Sequence, residues 1–85
     1  MMTTAIILIN VQRAKLKSVA EKIAEIEGVT EVYTVAGEFD LVAMLKINDV
    51  SHMSKILTEK MTAIEGITHT RTLLALEQTS KKWTI

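Results

Sequence analysis

The chain has 85 residues, of which 10 are Lys or Arg and 10 are Asp or Glu, and it contains no cysteine. At this length we expect one domain over residues 1–85, and the lack of cysteine excludes a disulfide framework and a cysteine-based metal site. A surface that binds nucleic acid directly needs an excess of positive charge, which this balanced composition does not supply. The N-terminal apolar run is far shorter than the ~20 residues of a membrane span and has no basic leader, so we expect a cytoplasmic protein.

The first half of the chain predicts a strand, a helix and a second strand. Residues 4–11, TAIILINV, form an apolar and β-branched run typical of a strand that is covered on both faces. Between Ala14 and Ile26 the apolar residues follow helical spacing, and lysines and glutamates occupy most other positions. Gly28 follows this helix, at the position where a left-handed residue commonly ends one. Residues 29–36 are then expected to form the second strand.

The second half of the chain predicts the same succession. Residues 41–48, LVAMLKIN, form the third strand, and Asp49 or Ser51 is placed to cap the helix that follows. That helix carries apolar residues at helical spacing, namely Met53, Ile56, Leu57, Met61 and Ile64. Gly66 ends the helix, and residues 68–77 form the fourth strand. This order predicts an α+β fold, the ferredoxin-like βαββαβ sandwich.

The two halves are also similar in sequence. Residues 19–37, VAEKIAEIEGVTEVYTVAG, align without gaps on residues 57–75, LTEKMTAIEGITHTRTLLA, at a constant shift of 38 positions. The identical pairs are Glu21/Glu59, Lys22/Lys60, Ile26/Ile64, Glu27/Glu65, Gly28/Gly66, Thr30/Thr68 and Thr34/Thr72. One structural unit is therefore encoded twice.

Two helices can cover only one face of the predicted four-stranded sheet. The opposite face should then alternate towards polar residues, but the segments AIILI, LVAML and LLAL are apolar at consecutive positions. A bare apolar face of that size exceeds what soluble monomers expose. We therefore expect a homodimer packed sheet to sheet about a two-fold axis, a dimeric α/β barrel.

The segment AGEFD joins two of the predicted strands and is a candidate ligand site. Gly37 lets the backbone approach a ligand, and the N–H groups beside it can bind an anion. The carboxylate of Asp40, with Glu38 or Asp49 nearby, could hold an ammonium group, and Phe39 could form one wall of the site. The alternative is an ordinary hairpin turn, in which the glycine relieves the tight geometry and the acidic residues keep the turn soluble.

Three features occur together in one order: the turn VAGEFDLVAML, Asp49 after the third strand, and the ending IEGITHTRTLLAL. In this arrangement the chain resembles the effector-binding domain of the Lrp/AsnC transcription regulators, the RAM domain. The likeness extends over residues 4–79, and its most specific parts are Gly-x-Phe-Asp and Gly-Ile-x-x-Thr-x-Thr-x-Leu. Regulators of that family carry a helix-turn-helix domain ahead of this one. Here the first strand is expected by Thr4, as in the stand-alone members.

The resemblance implies a non-enzymatic module that binds an amino acid or a related metabolite. It also implies assembly of dimers, commonly into octamers (tetramers of dimers), with the ligand bound where dimers meet. Co-assembly with full-length regulators is a further hypothesis. Carried over to this sequence, the family's Thr-x-Thr places ligand contacts at Thr70 and Thr72. Tyr33 is expected either to line the same cleft or to be a partly exposed aromatic residue at an interface.

His52 and His69 are the only histidines, and neither belongs to a metal-binding or catalytic motif, so we expect no metal and no cofactor. His52 is expected on a solvated helix surface. His69 supports an alternative function, a small cofactor-free enzyme of the same dimeric fold with this histidine as base. A structural role without any ligand also stays open. Residues 80–85 are expected to form a short C-terminal edge strand or a flexible tail.

Overall fold

The computed structural model describes residues 2–81. Its elements are strand β1 (Thr3–Val11), a 3-10 turn (Arg13–Lys15), helix α1 (Leu16–Ala24), strand β2 (Val29–Thr34), strand β3 (Leu41–Ile47), helix α2 (Val50–Lys55), a π-helical turn (Ile56–Met61) and strand β4 (Ile67–Leu74). The predicted succession of strand, helix and strand, repeated once, is confirmed. Of the predicted C-terminal tail, residues 82–85 lie outside the described residues, and residues 80–81 have no regular secondary structure.

The four strands form one antiparallel sheet in the order β2-β3-β1-β4, which is the ferredoxin-like order. Strands β1 and β3 are central, and β2 and β4 are the two edges. Each edge strand contains a β-bulge, with the extra residue at Thr30 in β2 and at Thr68 in β4. These threonines are equivalent in the two repeats, so the repeats have the same irregularity at the same place.

The core lies between the sheet and the helices. Every second residue of the central strands is buried in it, namely Ala5, Ile7, Ile9 and Val11 of β1 and Leu41, Ala43, Leu45 and Ile47 of β3. Val19 and Ile23 of α1, together with Ile56 and Met61 of the π-helical turn, cover these strands. Among residues 2–81 no polar or charged side chain is buried. Apolar burial, at about 1.5–3 kcal/mol for each fully buried large side chain, therefore supplies the main stabilisation.

We call the other side of the sheet, which the helices do not cover, the open face. Its apolar centre consists of Ile6 and Leu8 of β1, Val42 and Met44 of β3 and Leu73 of β4. Consecutive apolar residues of these strands thus point alternately to the core and to the open face, as the sequence predicted for a sheet with two apolar faces. Glu31 and Tyr33 lie on this face at the β2 edge, and His69 and Arg71 lie at the β4 edge.

The second helical segment differs from its prediction as one regular α-helix, because α2 passes directly into the π-helical turn. The hydroxyl groups of Thr58 and Thr62 donate to the carbonyl oxygens four residues earlier, those of Ser54 and Thr58. Such hydroxyl bonds commonly distort the helical backbone. Strand β4 ends at Leu74 rather than at residue 77, and its last pair with β1 is Leu74 with Ala5, followed by one bond from Ala75 N to Thr4 O.

Candidate functional site

The AGEFD segment forms the turn between β2 and β3. Val35 N donates to Asp40 O at 3.0 Å, which closes the hairpin, and Asp40 N donates to Ile9 O at 2.9 Å, which extends the ladder between β3 and β1. Gly37 has a φ of 142°, and a Cβ atom added there would meet no atom within 4 Å. Glycine is therefore favoured at this position by the backbone conformation and not by lack of space.

Asp40 fixes this turn to the end of β1. Its Oδ2 atom accepts a hydrogen bond from Val11 N at 2.9 Å and lies 3.5 Å from Asn10 Nδ2. The same Asn10 nitrogen donates to the carbonyl oxygen of Glu38 at 2.9 Å. The carboxylate predicted to hold an ammonium group thus already binds the backbone, and Asp40 and Asn10 position the turn. The side chain of Glu38 remains exposed.

The turn also contacts the edge strand β4. Arg71 Cζ lies 5.9 Å from the centroid of the Phe39 ring, within the range of a cation–π interaction. In the register of the sheet, Arg71 is opposite Leu8 and His69 is opposite Asn10. The turn, the end of β1 and the first half of β4 therefore form one surface. We call it the loop cluster and define it by Asn10, Glu38, Phe39, Asp40, His69 and Arg71.

Thr70 and Thr72 lie on the other side of β4 from Arg71. They pair with Ile9 and Ile7, so their side chains face the helical layer. Thr70 lines a cleft of about 440 Å³ beside the π-helical turn. Other residues that line this cleft are Leu57, Met61, Ile67, Thr68 and His69. Because His69 belongs to both, the loop cluster and this edge cleft meet at His69.

Tyr33 lies at the opposite edge of the sheet from Arg71. It pairs with Val42 and points to the open face, three strand spacings or roughly 14 Å from Arg71. Its hydroxyl donates to the Glu31 carboxylate. This hydrogen bond and the negative charge of Glu31 raise the pKa of Tyr33 above its usual value of 10.0. Within one chain, Tyr33 is therefore not part of the loop cluster.

The sequence suggested that Asp49 lies near Asp40. In the structure the two residues are about 23 Å apart, because the seven residues of β3 separate them. Asp49 caps α2 instead. Asp49 Oδ1 accepts hydrogen bonds from Ser51 Oγ at 2.7 Å and from His52 N at 2.8 Å. The hydrogen bond from the Ser51 hydroxyl lowers the pKa of Asp49 below its usual value of 3.8, and the bond from the His52 backbone N–H lowers it further by a smaller amount.

Two residues of the loop cluster were not among the predicted site residues. Asn10 is a polar residue at the end of an apolar strand, and the second repeat has Asn48 at the equivalent position. Arg71 lies between the two threonines predicted as contacts, and it takes the place of Tyr33 in the second repeat. A comparison of the polar residues at equivalent positions of the repeats would have drawn attention to both.

The family model of the Lrp/AsnC ligand binding domain matches residues 4–83. The chain belongs to this family. An uncharacterised helix-turn-helix-type transcriptional regulator of Pyrococcus abyssi is 35% identical over 78 residues, which are 88% of this chain and 52% of that protein. The chain thus spans about half the length, or less, of the curated relatives that it matches first.

Solved structures share the fold of this Lrp/AsnC domain. The crystal structure of a protein from Thermus thermophilus matches with a TM-score of 0.87 at 35% identity, and the match covers 93% of this chain and 99% of the Thermus thermophilus chain. A transcriptional regulator of Neisseria meningitidis, solved in complex with L-methionine, has a TM-score of 0.81 at 16% identity and covers 98% of this chain and 55% of its own. The predicted fold and the predicted family are both confirmed.

No helix within residues 2–81 is long and apolar enough to cross a membrane. In the same part of the chain, no three His, Cys, Asp or Glu residues are grouped so that they could hold a metal ion.

Proposed function

We propose that the chain is a ligand-sensing module of transcription regulation that binds an amino acid, or a related small metabolite, without catalysing a reaction. The loop cluster carries this proposal, because the Arg71 guanidinium lies against the Phe39 ring and the exposed Glu38 is next to Phe39 in the chain. A free amino acid presents a carboxylate, an ammonium group and a side chain, which match a cation, a carboxylate and an aromatic surface. The L-methionine complex of the Neisseria meningitidis regulator gives additional support.

Each residue of the site has a role in this proposal. Arg71 binds the ligand carboxylate, since a guanidinium can donate two parallel hydrogen bonds to it. Glu38 accepts hydrogen bonds from the ammonium group, and Phe39 contacts the ligand's side chain. Gly37 lets the ligand approach the backbone of the turn, which Asp40 holds in place through Val11 N.

The other predicted contacts take more peripheral roles. Thr70 contacts the ligand from the edge cleft beside His69, and Thr72 contacts it from the same side of β4. Tyr33, at the far edge of the sheet, enters the site only from another subunit. Asp49 is not included, because its carboxylate caps α2 at the far end of β3.

We further propose that the open face packs against the open face of a second copy. The apolar centre of that face supports the contact, since Leu73 alone is 46% exposed in one chain.

Binding between dimers would couple the ligand to the assembly. A ligand that contacts two dimers stabilises the arrangement in which both halves of its site meet, so we expect octamers or other multiples of dimers. The curated relatives with a helix-turn-helix are about twice as long as this chain. Co-assembly with such regulators in the cytoplasm, through the same sheet surface, would make the effect on DNA indirect.

Native mass spectrometry of the purified protein, with and without a mixture of the twenty amino acids, tests the proposal. We expect a multiple of dimers that gains the mass of one particular amino acid for each site. The affinity for that amino acid is then measured by calorimetry. Glu38→Gln should weaken it roughly 10- to 100-fold, since a hydrogen bond to a charged group contributes about 1.5–3 kcal/mol.

Glu59→Gln is the matched control, because Glu59 is an exposed glutamate on the helical layer. The affinity of this variant for the amino acid should equal that of the unaltered protein. Equal affinities for both variants, or no discrete adduct with any amino acid, would contradict the proposal. His69→Ala addresses the catalytic alternative. A sensor keeps ligand binding in this variant, whereas an enzyme with His69 as its base loses turnover.

A further inference from the structure

A groove of about 590 Å³ runs between α1 and the second helical segment, on the side of the molecule opposite to the open face. Its apolar lining consists of Ile26, Ile56 and Ile64, and its basic lining consists of Lys22, Lys55, Lys60 and His52. The volume lies within the range of about 300–1,000 Å³ that is typical of small-molecule sites. An apolar floor with a few convergent polar groups is also typical of such sites.

The lysines of this groove are not neutralised by ion pairs. The one salt bridge among residues 2–81 joins Lys15 to Glu65 and lies outside the groove. Glu25 and Glu27 also line the groove, but neither is within salt-bridge distance of a lysine. Three unpaired ammonium groups around one concave surface attract an anion, and the two glutamates oppose the binding of an extended polyanion such as nucleic acid.

His52 adds an independent observation that points to a ligand. The sequence suggested a solvated surface histidine, but His52 is half-buried, and its Nδ1 atom is buried without a hydrogen-bond partner in the described residues. Its backbone N–H is used separately, in the cap with Asp49. A buried polar atom without a partner costs free energy, so a ligand towards which the His52 ring turns its Nδ1 atom is favoured at this position.

The two repeats contribute equivalent residues to the groove. Lys22 and Lys60 are an identical pair at the shift of 38 positions, and Ile26 and Ile64 are another. The groove therefore lies between the two copies of the repeated unit, and each copy supplies one member of both equivalent pairs. Lys55, Ile56 and His52 come from the second copy alone, because the equivalent residues of the first copy, Lys17, Ser18 and Ala14, are outside the groove.

We propose that this groove binds a small organic anion, with its phosphate or carboxylate group on the lysines and on His52 Nδ1 and its apolar part on the isoleucines. This site goes beyond the proposed function, because it lies on the helical layer and shares no residue with the loop cluster. Its occupation links the end of α1 to α2 across the groove.

Nuclear magnetic resonance of the two histidine rings tests the proposal in the full chain. His52 reports on the groove, and His69 reports on the loop cluster. Inorganic phosphate, pyrophosphate, succinate and citrate are added at constant ionic strength and constant pH, with chloride as the reference anion. We expect at least one of these probes to shift the His52 resonances in a saturable way below about 10 mM, with no matching change at His69.

A pair of double variants separates a built site from general attraction of anions. Lys22→Gln with Lys60→Gln should weaken the binding about 10-fold or more, since both lost contacts are charge-assisted. Lys17→Gln with Lys81→Gln removes the same net charge from exposed lysines outside the groove and should leave the affinity unchanged. Thermal unfolding of both variants shows that each is folded.

The response of His52 to the four probes identifies the class of ligand or overturns the proposal. Saturation by phosphate and pyrophosphate alone assigns a phosphorylated ligand, and saturation by succinate and citrate alone assigns a carboxylate. A His52 shift that does not saturate with any probe, or that weakens equally in both double variants, overturns the proposal. Amino-acid binding detected at His69 is unaffected by either outcome, so this site and the proposed function fail or stand separately.

Discussion

The two repeats of this chain have similar sequences but different helices. Helix α1 begins after a 3-10 turn, has no side-chain cap and stays α-helical to Ala24. Helix α2 begins with the Asp49 cap and then widens into a π-helical turn, although Glu59 and Lys60 match Glu21 and Lys22 of the first repeat. The apolar pattern thus determines which side of a helix is buried, while local hydroxyl and capping bonds determine its start and its pitch.

The edge strands of the repeats differ in their exposed residues. Strands β2 and β4 occupy equivalent positions in the repeats, yet β2 presents Glu31 and Tyr33 where β4 presents His69 and Arg71. Most core positions are apolar in both repeats, but the buried Val11 and Ile56 have the exposed Asp49 and Ser18 as their counterparts. A duplicated unit has therefore kept most of its interior, and most of the differences that matter for recognition lie on its surface.

Replacing Leu8 by Lys tests the largest of these differences. Leu8 lies at the centre of the open face, and the equivalent residue of the second repeat is Lys46, which contacts Thr4 Oγ1 at 2.6 Å near the end of the strand. Leu8→Lys should weaken the proposed dimer by at least roughly 100-fold, because it buries an unpaired charge at the centre of the interface. Sedimentation equilibrium measures the effect.

The control for this variant is Lys46→Leu, which gives the second repeat the residue of the first and should leave the dimer intact. Circular dichroism should show that Leu8→Lys is folded, since Leu8 is not in the core between sheet and helices. An unchanged dimer in Leu8→Lys would remove the open face from the proposed assembly.

Replacing the glycines that end the two helices should have an effect of intermediate size. Gly28 and Gly66 have φ values of 99° and 111°, so alanine is strained at both, by about 1–2 kcal/mol. A Cβ atom at Gly28 would lie 3.0 Å from the backbone oxygen of Lys46, whereas at Gly66 it would meet side chains only, Val19 at 3.0 Å and the partly exposed Lys15 at 3.1 Å. Gly28→Ala should therefore reduce the free energy of unfolding by about 1 kcal/mol more than Gly66→Ala.

Urea denaturation measures this difference. Gly37→Ala serves as the reference for strain alone, because nothing lies within 4 Å of its added Cβ. If Gly66→Ala destabilises as much as Gly28→Ala, the helix side chains around Gly66 are as rigid as the β3 backbone, and the two repeats are equally well packed at this point.

The cap of α2 gives the smallest expected effect. Asp49→Ala should lower the melting temperature at pH 7 by a few degrees, whereas Gln12→Ala, before the uncapped turn of the first repeat, should leave it unchanged. The folded state lowers the pKa of Asp49, so the cap stabilises the protein above the unfolded pKa, and this stabilisation is lost as the pH falls through the lowered folded value.

Melting curves between pH 7 and pH 2 check the sign of this dependence. The difference between the Asp49→Ala variant and the unaltered protein should narrow as the pH falls below 3.8, the usual value. A difference that stays constant over this range would mean that the carboxylate charge does not contribute to the cap.

The fold could be predicted from the sequence because its determinants are local and repeated. Alternation along β1 places Ile7 in the core and Ile6 on the open face, and the shift of 38 positions gives the second half from the first. The end of β4 could not be predicted, because it depends on the register between β4 and β1. In that register Leu74 is the last residue of β4 that pairs with β1.

The candidate site was only partly predictable, because its contacts join residues that are far apart in the chain. The turn at Gly37 was found from its residues, but the role of Asp40 depends on Val11, which is 29 positions away in the chain. The separation of Asp49 from Asp40 follows from the length and direction of β3. The burial of His52 Nδ1 depends on how two helices pack, which no spacing within one helix reveals.

The two bulges at Thr30 and Thr68 also affect how this sheet avoids uncontrolled growth. A strand edge that is long and straight recruits further strands, and edges of opposite charge on one sheet favour head-to-tail addition, which forms fibres when it does not close into a ring. Here each edge strand is interrupted next to its first residue by an extra residue that twists it. Since the bulge was duplicated together with the repeat, both edges have the same protection against fibre formation.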